Sequence, residues 1–117
     1  PADETPSDPC DAQPEEMDIA IAVDRIETAF DLQIRRIEHK WAGLRSFVSD
    51  KCPVAGFDPD CAGFFWLAGQ GGYGIQSAPA LARFAASQVL GHSAPEDILA
   101  HGLDPLALAP ARLRQAA

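Results

Sequence analysis

With 117 residues, 47% of them hydrophobic and 22% charged, the chain has the composition of one modest globular domain and not of a disordered segment. Its formal net charge of -8 opens on Asp3, Glu4, Asp8, Asp11, Glu15, Glu16 and Asp18, with no basic residue before Arg25; this disfavours nucleic acid, whose binding rests on cations meeting phosphates. Cys10, Cys52 and Cys61 are odd in number and form no CxxC pair, so free thiols in a reducing, cytoplasmic compartment are expected, and His39, His92 and His101 stand at no metal-ligand spacing, so no metal is expected.

From Pro1 to Pro14 the Thr-Pro, Asp-Pro and Gln-Pro steps read as turns, since proline disfavours a helical residue before it. From the start at Pro1, without a basic region and apolar core, a fragment or a processed chain is expected. A first helix is predicted from Pro14 to Phe30. Proline suits its first turn, Glu15, Glu16 and Asp18 complement the positive end of the dipole, and Ile19, Val23, Ile26 and Phe30 form one apolar stripe.

Leu32, Ile34 and Arg36 alternate with Gln33, Arg35 and Ile37, which predicts a strand running on towards Lys40 and Trp41. Pro53 to Gly56 is a short extended piece before a turn at Asp58-Pro59-Asp60. The continuous apolar run Phe64 to Leu67, bounded by Gly63 and Gly69, predicts a central strand buried on both faces. Residues 62–82 carry no charge, but their glycines, proline and glutamines read as strand, loop and helix, and no membrane span is expected.

A second helix is predicted over Ile75 to Leu90, with Pro79 in its first turn and Gly91 as its stop. A short helix at Pro95 to His101 follows, and Pro110 to Arg114 reads as a surface strap. The ordered part is expected between Glu15 and Gly91.

Two constellations carry chemistry. Gly69-Gln70-Gly71-Gly72-Tyr73-Gly74 satisfies the GxGxxG spacing between a strand and a helix, yet the acidic residue expected about 20 positions on, at the end of a second strand, is replaced by Gly91, His92 and Ser93. The loop is therefore not read as a phosphate-binding first turn. Its glycines let backbone approach a ligand, and amides at a helix start attract negative charge; a tight strand-to-helix turn is the plainer alternative. In Trp41-Ala42-Gly43-Leu44-Arg45 the planar guanidinium suits bidentate pairing with a carboxylate, so Arg45 is either a substrate anchor or an exposed surface arginine.

Taken together, Trp41 to Arg45, Pro53-Val54-Ala55-Gly56 and Phe64 to Gln76 resemble the D-amino-acid oxidase superfamily in order and spacing, and Pro14 to Ala20 looks like the D-arginine dehydrogenase type. The resemblance implies an α/β fold with an α+β substrate part, present as the C-terminal fragment of a two-domain FAD-binding oxidoreductase (partial sheet plus helices). Residues 1–40 would end the antiparallel substrate-binding part, 41–91 would be the C-terminal return of the FAD-binding part, and 92–117 a tail.

It also implies that Arg45, Gly43 and Gly72 bind substrate and that Gly71, Gly72, Tyr73, Gly74, Ile75 and Gln76 face FAD, with no catalytic side chain. Hydride would pass from the α-carbon of a D-amino acid or amine to flavin N5, and the imine would hydrolyse to a 2-oxo acid and ammonia. The remaining partner would be the missing N-terminal part of the same protein, without which the fragment is expected to be inactive. The alternatives are a glycine or sarcosine type amine oxidase fragment and a non-catalytic truncated interaction module.

Overall fold

The computed structural model describes residues 5–114, and the chain divides between Leu44 and Arg45 into two units. Pro1 to Glu4 of the turn-like opening lie outside the described residues.

The first unit is built on helix α1, Glu16–Ala29, close to the predicted span. Glu16 and Asp18 occupy its first turn, but no side chain caps it. Its apolar stripe exists without being buried: Ile19 and Val23 are half-covered, Ile26 and Phe30 exposed. The strand expected over residues 32–41 does not form; this segment is irregular and, Ile34 excepted, exposed. A strand needs a ladder partner, and none pairs with it among the described residues. One of its amides is satisfied locally instead, the Ile34 N–H donating to Glu27 Oε1 at 2.7 Å.

The second unit holds the core. Strands β1, Val54–Phe57, and β2, Phe65–Ala68, pair antiparallel with Val54 opposite Ala68 and Phe57 opposite Phe65. Helix α2, Gly74–Val89, lays Leu81, Phe84 and Ala85 inward, where Phe84 meets Ala55, and Leu108 closes the cluster from the tail. Phe65, Ala94, Ile98 and Leu103 pack around it.

Position and type of β2 agree with the apolar run, but its burial on both faces does not. Two strands make a sheet in which each is an edge, and Phe64, Trp66 and Leu67 remain largely exposed. Edge-on aromatic pairs consolidate this surface, Phe57 with Phe65 at 5.1 Å and Phe64 with Trp66 at 4.9 Å between centroids.

Pro79 sits in the second turn of α2, not the first, because the helix already starts at Gly74. Lacking an N–H, it leaves the Ile75 carbonyl without its usual partner. The far end of α2 is a complete Schellman motif: Gly91 adopts φ +69°, its N–H bonds to the Gln88 carbonyl, and the His92 N–H bonds to the Ser87 carbonyl at 2.8 Å.

Order continues past Gly91, contrary to the expectation from proline content. Helix α3, Glu96–Ala100, is tied to α2 by a bidentate pair between Arg83 and Asp97 at 2.6 and 2.8 Å. Two 3₁₀ segments, Pro105–Leu108 and Pro110–Arg114, then return to the sheet. Pro110–Arg114 buries no residue, as a surface strap would, while Leu108 just before it reaches the core. Arg112 Nε and Nη2 grip the Asp50 carboxylate, and Nη2 also donates to the Cys52 and Pro53 carbonyls. Pro110 lies so close to β1 that a Cβ on Gly56 would stand 2.7 Å from its Cδ.

Candidate functional site

Between the end of β2 and the start of α2, the chain turns through Gly69 to Tyr73. Gly69 and Gly71 take left-handed backbone, φ +69° and +52°, which only glycine adopts at little cost. The Tyr73 N–H closes the turn on the Gln70 carbonyl at 3.0 Å.

Segment 45–48 runs across this loop. The Gly71 N–H donates to the Ser46 carbonyl at 3.0 Å, and three glycines meet three side chains in register. A Cβ on Gly69 would come 3.2 Å from Val48 Cγ1, one on Gly71 2.5 Å from Phe47 Cε1, and one on Gly72 2.7 Å from Arg45 Nη1. The loop is glycine-rich here to let a neighbouring segment lie on it.

Arg45, a predicted substrate contact, is therefore brought onto Gly72, another one. Its guanidinium carbon lies 5.2 Å from the centre of the Phe47 ring, and it makes no ion pair among the described residues. A cation left without a carboxylate beside bare backbone can receive an external anion. Gly43, the third predicted substrate contact, belongs to the first unit, and a Cβ there would meet no described atom within 4 Å.

The predicted cofactor contacts Gly71 to Gln76 are contiguous through the start of α2. No side chain caps this end, and no acidic residue occupies its first turn. The amides of Gly74, Ile75 and Gln76 precede the first intrahelical bond, that from the Ser77 N–H to the Tyr73 carbonyl at 3.0 Å. Together with the helix dipole they form an electropositive donor set. Tyr73, Ile75 and Gln76 are exposed, Ile75 almost wholly so at 97%.

Sequence reasoning missed Phe47 and Val48, whose contacts with Gly71 and Gly69 exist only in the folded chain. It also missed Asp50 and Arg112, which fix the turn following segment 45–48. Asp50 accepts the Cys52 N–H as well as the guanidinium, and the Arg112 hydrogen bond foremost holds its carboxyl below the usual carboxylate range.

An open groove of about 510 Å³ lies elsewhere in the second unit, lined by Pro79, Arg83, Asp97, Ile98 and His101 among others; it shares no residue with the glycine loop. The described residues contain no cluster of three potential metal ligands, and no helix among them is long and apolar enough to cross a membrane. Cys10, Cys52 and Cys61 are free and exposed.

A family model described as FAD dependent oxidoreductase matches residues 2–88. The matched span takes in α1, both strands, the glycine loop and nearly all of α2.

Proposed function

This chain belongs to the FAD-dependent oxidoreductase family, and we propose that it serves there in the oxidation of D-amino acids, nearest to the D-arginine dehydrogenase type, with FAD as cofactor. The observation that carries the reading is Arg45: a guanidinium lying over Gly72, without an ion pair among the described residues, beside a helix start that no described side chain caps.

The residues present fit a flavin. Its ring offers carbonyl oxygens and gathers negative charge on reduction, and the uncapped amides of Gly74, Ile75 and Gln76, with the Gln76 carboxamide, are donors suited to that charge. Gly71, Gly72 and Tyr73 extend this lining along the turn. When bound, the flavin supplies the acceptor for hydride from the substrate α-carbon.

Arg45 takes the substrate carboxylate through two parallel N–H bonds and so fixes where the α-carbon sits. Gly72, without a side chain, leaves room beneath it. None of these side chains has to move a proton; the imine formed from the substrate departs and hydrolyses to a 2-oxo acid and ammonia. No βαβ unit occurs among the described residues, and the reading assigns the adenine end of FAD to another part of the protein.

The test is Arg45→Ala in the full-length protein, assayed against D-arginine, other D-amino acids, glycine, sarcosine and an amine without a carboxylate. KM for the amino acids should rise roughly ten- to hundredfold, the loss of a charged hydrogen-bonded anchor, while the simple amine is unaffected. Unchanged KM values overturn the assignment of Arg45, and better turnover of glycine or sarcosine than of any D-amino acid moves the protein to that type of amine oxidase.

A further inference from the structure

We propose that Phe47 is the positioning residue of the anion site: its ring presses on Gly71 and holds the Arg45 guanidinium over Gly72 in the orientation that receives a carboxylate. The proposal rests on the reading of Arg45 as the substrate anchor and adds the device that aims it.

Four observations converge. Arg45 and Phe47 both lie against the glycine loop, on Gly72 and Gly71 respectively. The guanidinium carbon is 5.2 Å from the ring centre, within the range in which a cation is drawn to an aromatic face. The ring itself cannot swing towards the loop, because it already fills the place a Cβ of Gly71 would take, 2.5 Å from Cε1. The backbone beneath is pinned by the hydrogen bond from the Gly71 N–H to the Ser46 carbonyl, between the two side chains.

Arginine in water carries much rotamer freedom, and a ligand that immobilises it must offset that loss. Here a π face restrains the planar group without consuming any of its five N–H donors. A carboxylate partner would hold Arg45 as firmly and also neutralise it. The aromatic ring keeps the cation placed, charged and hydrogen-bonding, which is what capture of an external carboxylate requires. In a simple packing role, by contrast, Phe47 would support the loop, and the guanidinium would be indifferent to its aromaticity.

The experiment measures the Kd of propionate, an unreactive short carboxylate, by calorimetry on the full-length flavin-loaded protein, beside KM and kcat for its amino-acid substrate. Phe47→Leu should weaken propionate roughly two- to tenfold, the range expected from freeing one long side chain. KM should rise by a similar factor with kcat changed less, and Phe47→Tyr, which keeps the π face, should restore both.

In an Arg45→Ala background Phe47→Leu should add nothing. Affinity unchanged in Phe47→Leu, or equally reduced with and without Arg45, overturns the proposal. Gly72→Ala gives a second route should Phe47→Leu fold poorly: its backbone is not left-handed, Phe47 is untouched, and the new Cβ would stand 2.7 Å from Arg45 Nη1, pushing the guanidinium off the ring. It too should weaken propionate, and full affinity there counts against the proposal. If Arg45→Ala itself leaves propionate binding intact, the anchor reading fails and takes the proposal with it; weakening in Arg45→Ala without weakening in Phe47→Leu overturns the proposal alone.

Discussion

Asp58 gathers more partners than any other carboxylate in the hairpin. It accepts the Trp66 indole N–H at 2.8 Å and the backbone N–H groups of Asp60 and Cys61, closing the turn between β1 and β2. Foremost the indole bond, and then the backbone bonds, hold its carboxyl below its ordinary value of 3.8. A carboxyl more acidic in the folded than in the unfolded chain binds fewer protons when folded, so its contribution is present above the ordinary value and is lost as pH falls through the lowered one. Trp66→Phe, which removes the largest of these donors, should lower stability near neutrality, and the deficit should shrink as pH falls below the ordinary value and through the lowered one. Urea unfolding followed by circular dichroism at neutral and at acid pH checks this, and a deficit that is the same at both would deny the indole its part.

At the scale of elements, α2 ends where glycine permits. A Cβ on Gly91 would touch nothing within 4 Å, so Gly91→Ala probes the left-handed backbone alone and should cost about 1–2 kcal/mol in urea unfolding. Such local rules explain which elements were legible beforehand. The 3.6-residue stripe of α1, the apolar run of β2 and the glycine stop of α2 are properties of neighbouring residues. Position 79 and residues 32–41 went astray because the deciding factors were not local: where α2 begins depends on how the glycine loop is held, and a strand exists only if something pairs with it. The candidate site divides the same way. Arg45 and Gly71 to Gln76 were named from motif and resemblance. Phe47 and Arg112 were not, since each acts through a partner that only folding supplies.

At the scale of the whole molecule, the C-terminal tail completes the core of the second unit. Leu108 fills the core beside Phe84, so Leu108→Ala should destabilise by about 2–5 kcal/mol, measured by thermal unfolding. Arg112 locks the same tail to the turn at Asp50 through the hydrogen bonds described above, and Arg112→Ala should raise amide hydrogen exchange across 105–114 well before the helices open. Uniform exchange through the second unit would show that the tail unfolds only with the rest. Asp50 and Asp97, both held below their ordinary value by an arginine, carry the same acid sensitivity as Asp58.

The closeness of Gly56 to Pro110 couples two positions in evolutionary divergence. Position 56 has ordinary strand backbone, so glycine is not demanded there by conformation; it is demanded by a rigid ring arriving from 54 residues away in the chain. Neither position can drift alone. A relative whose tail takes another path is free to place a β-branched residue at the site of Gly56, while a relative that keeps proline at 110 must keep glycine at 56, so the pair serves as a marker, readable in any set of homologous sequences, of whether this docked tail has been inherited.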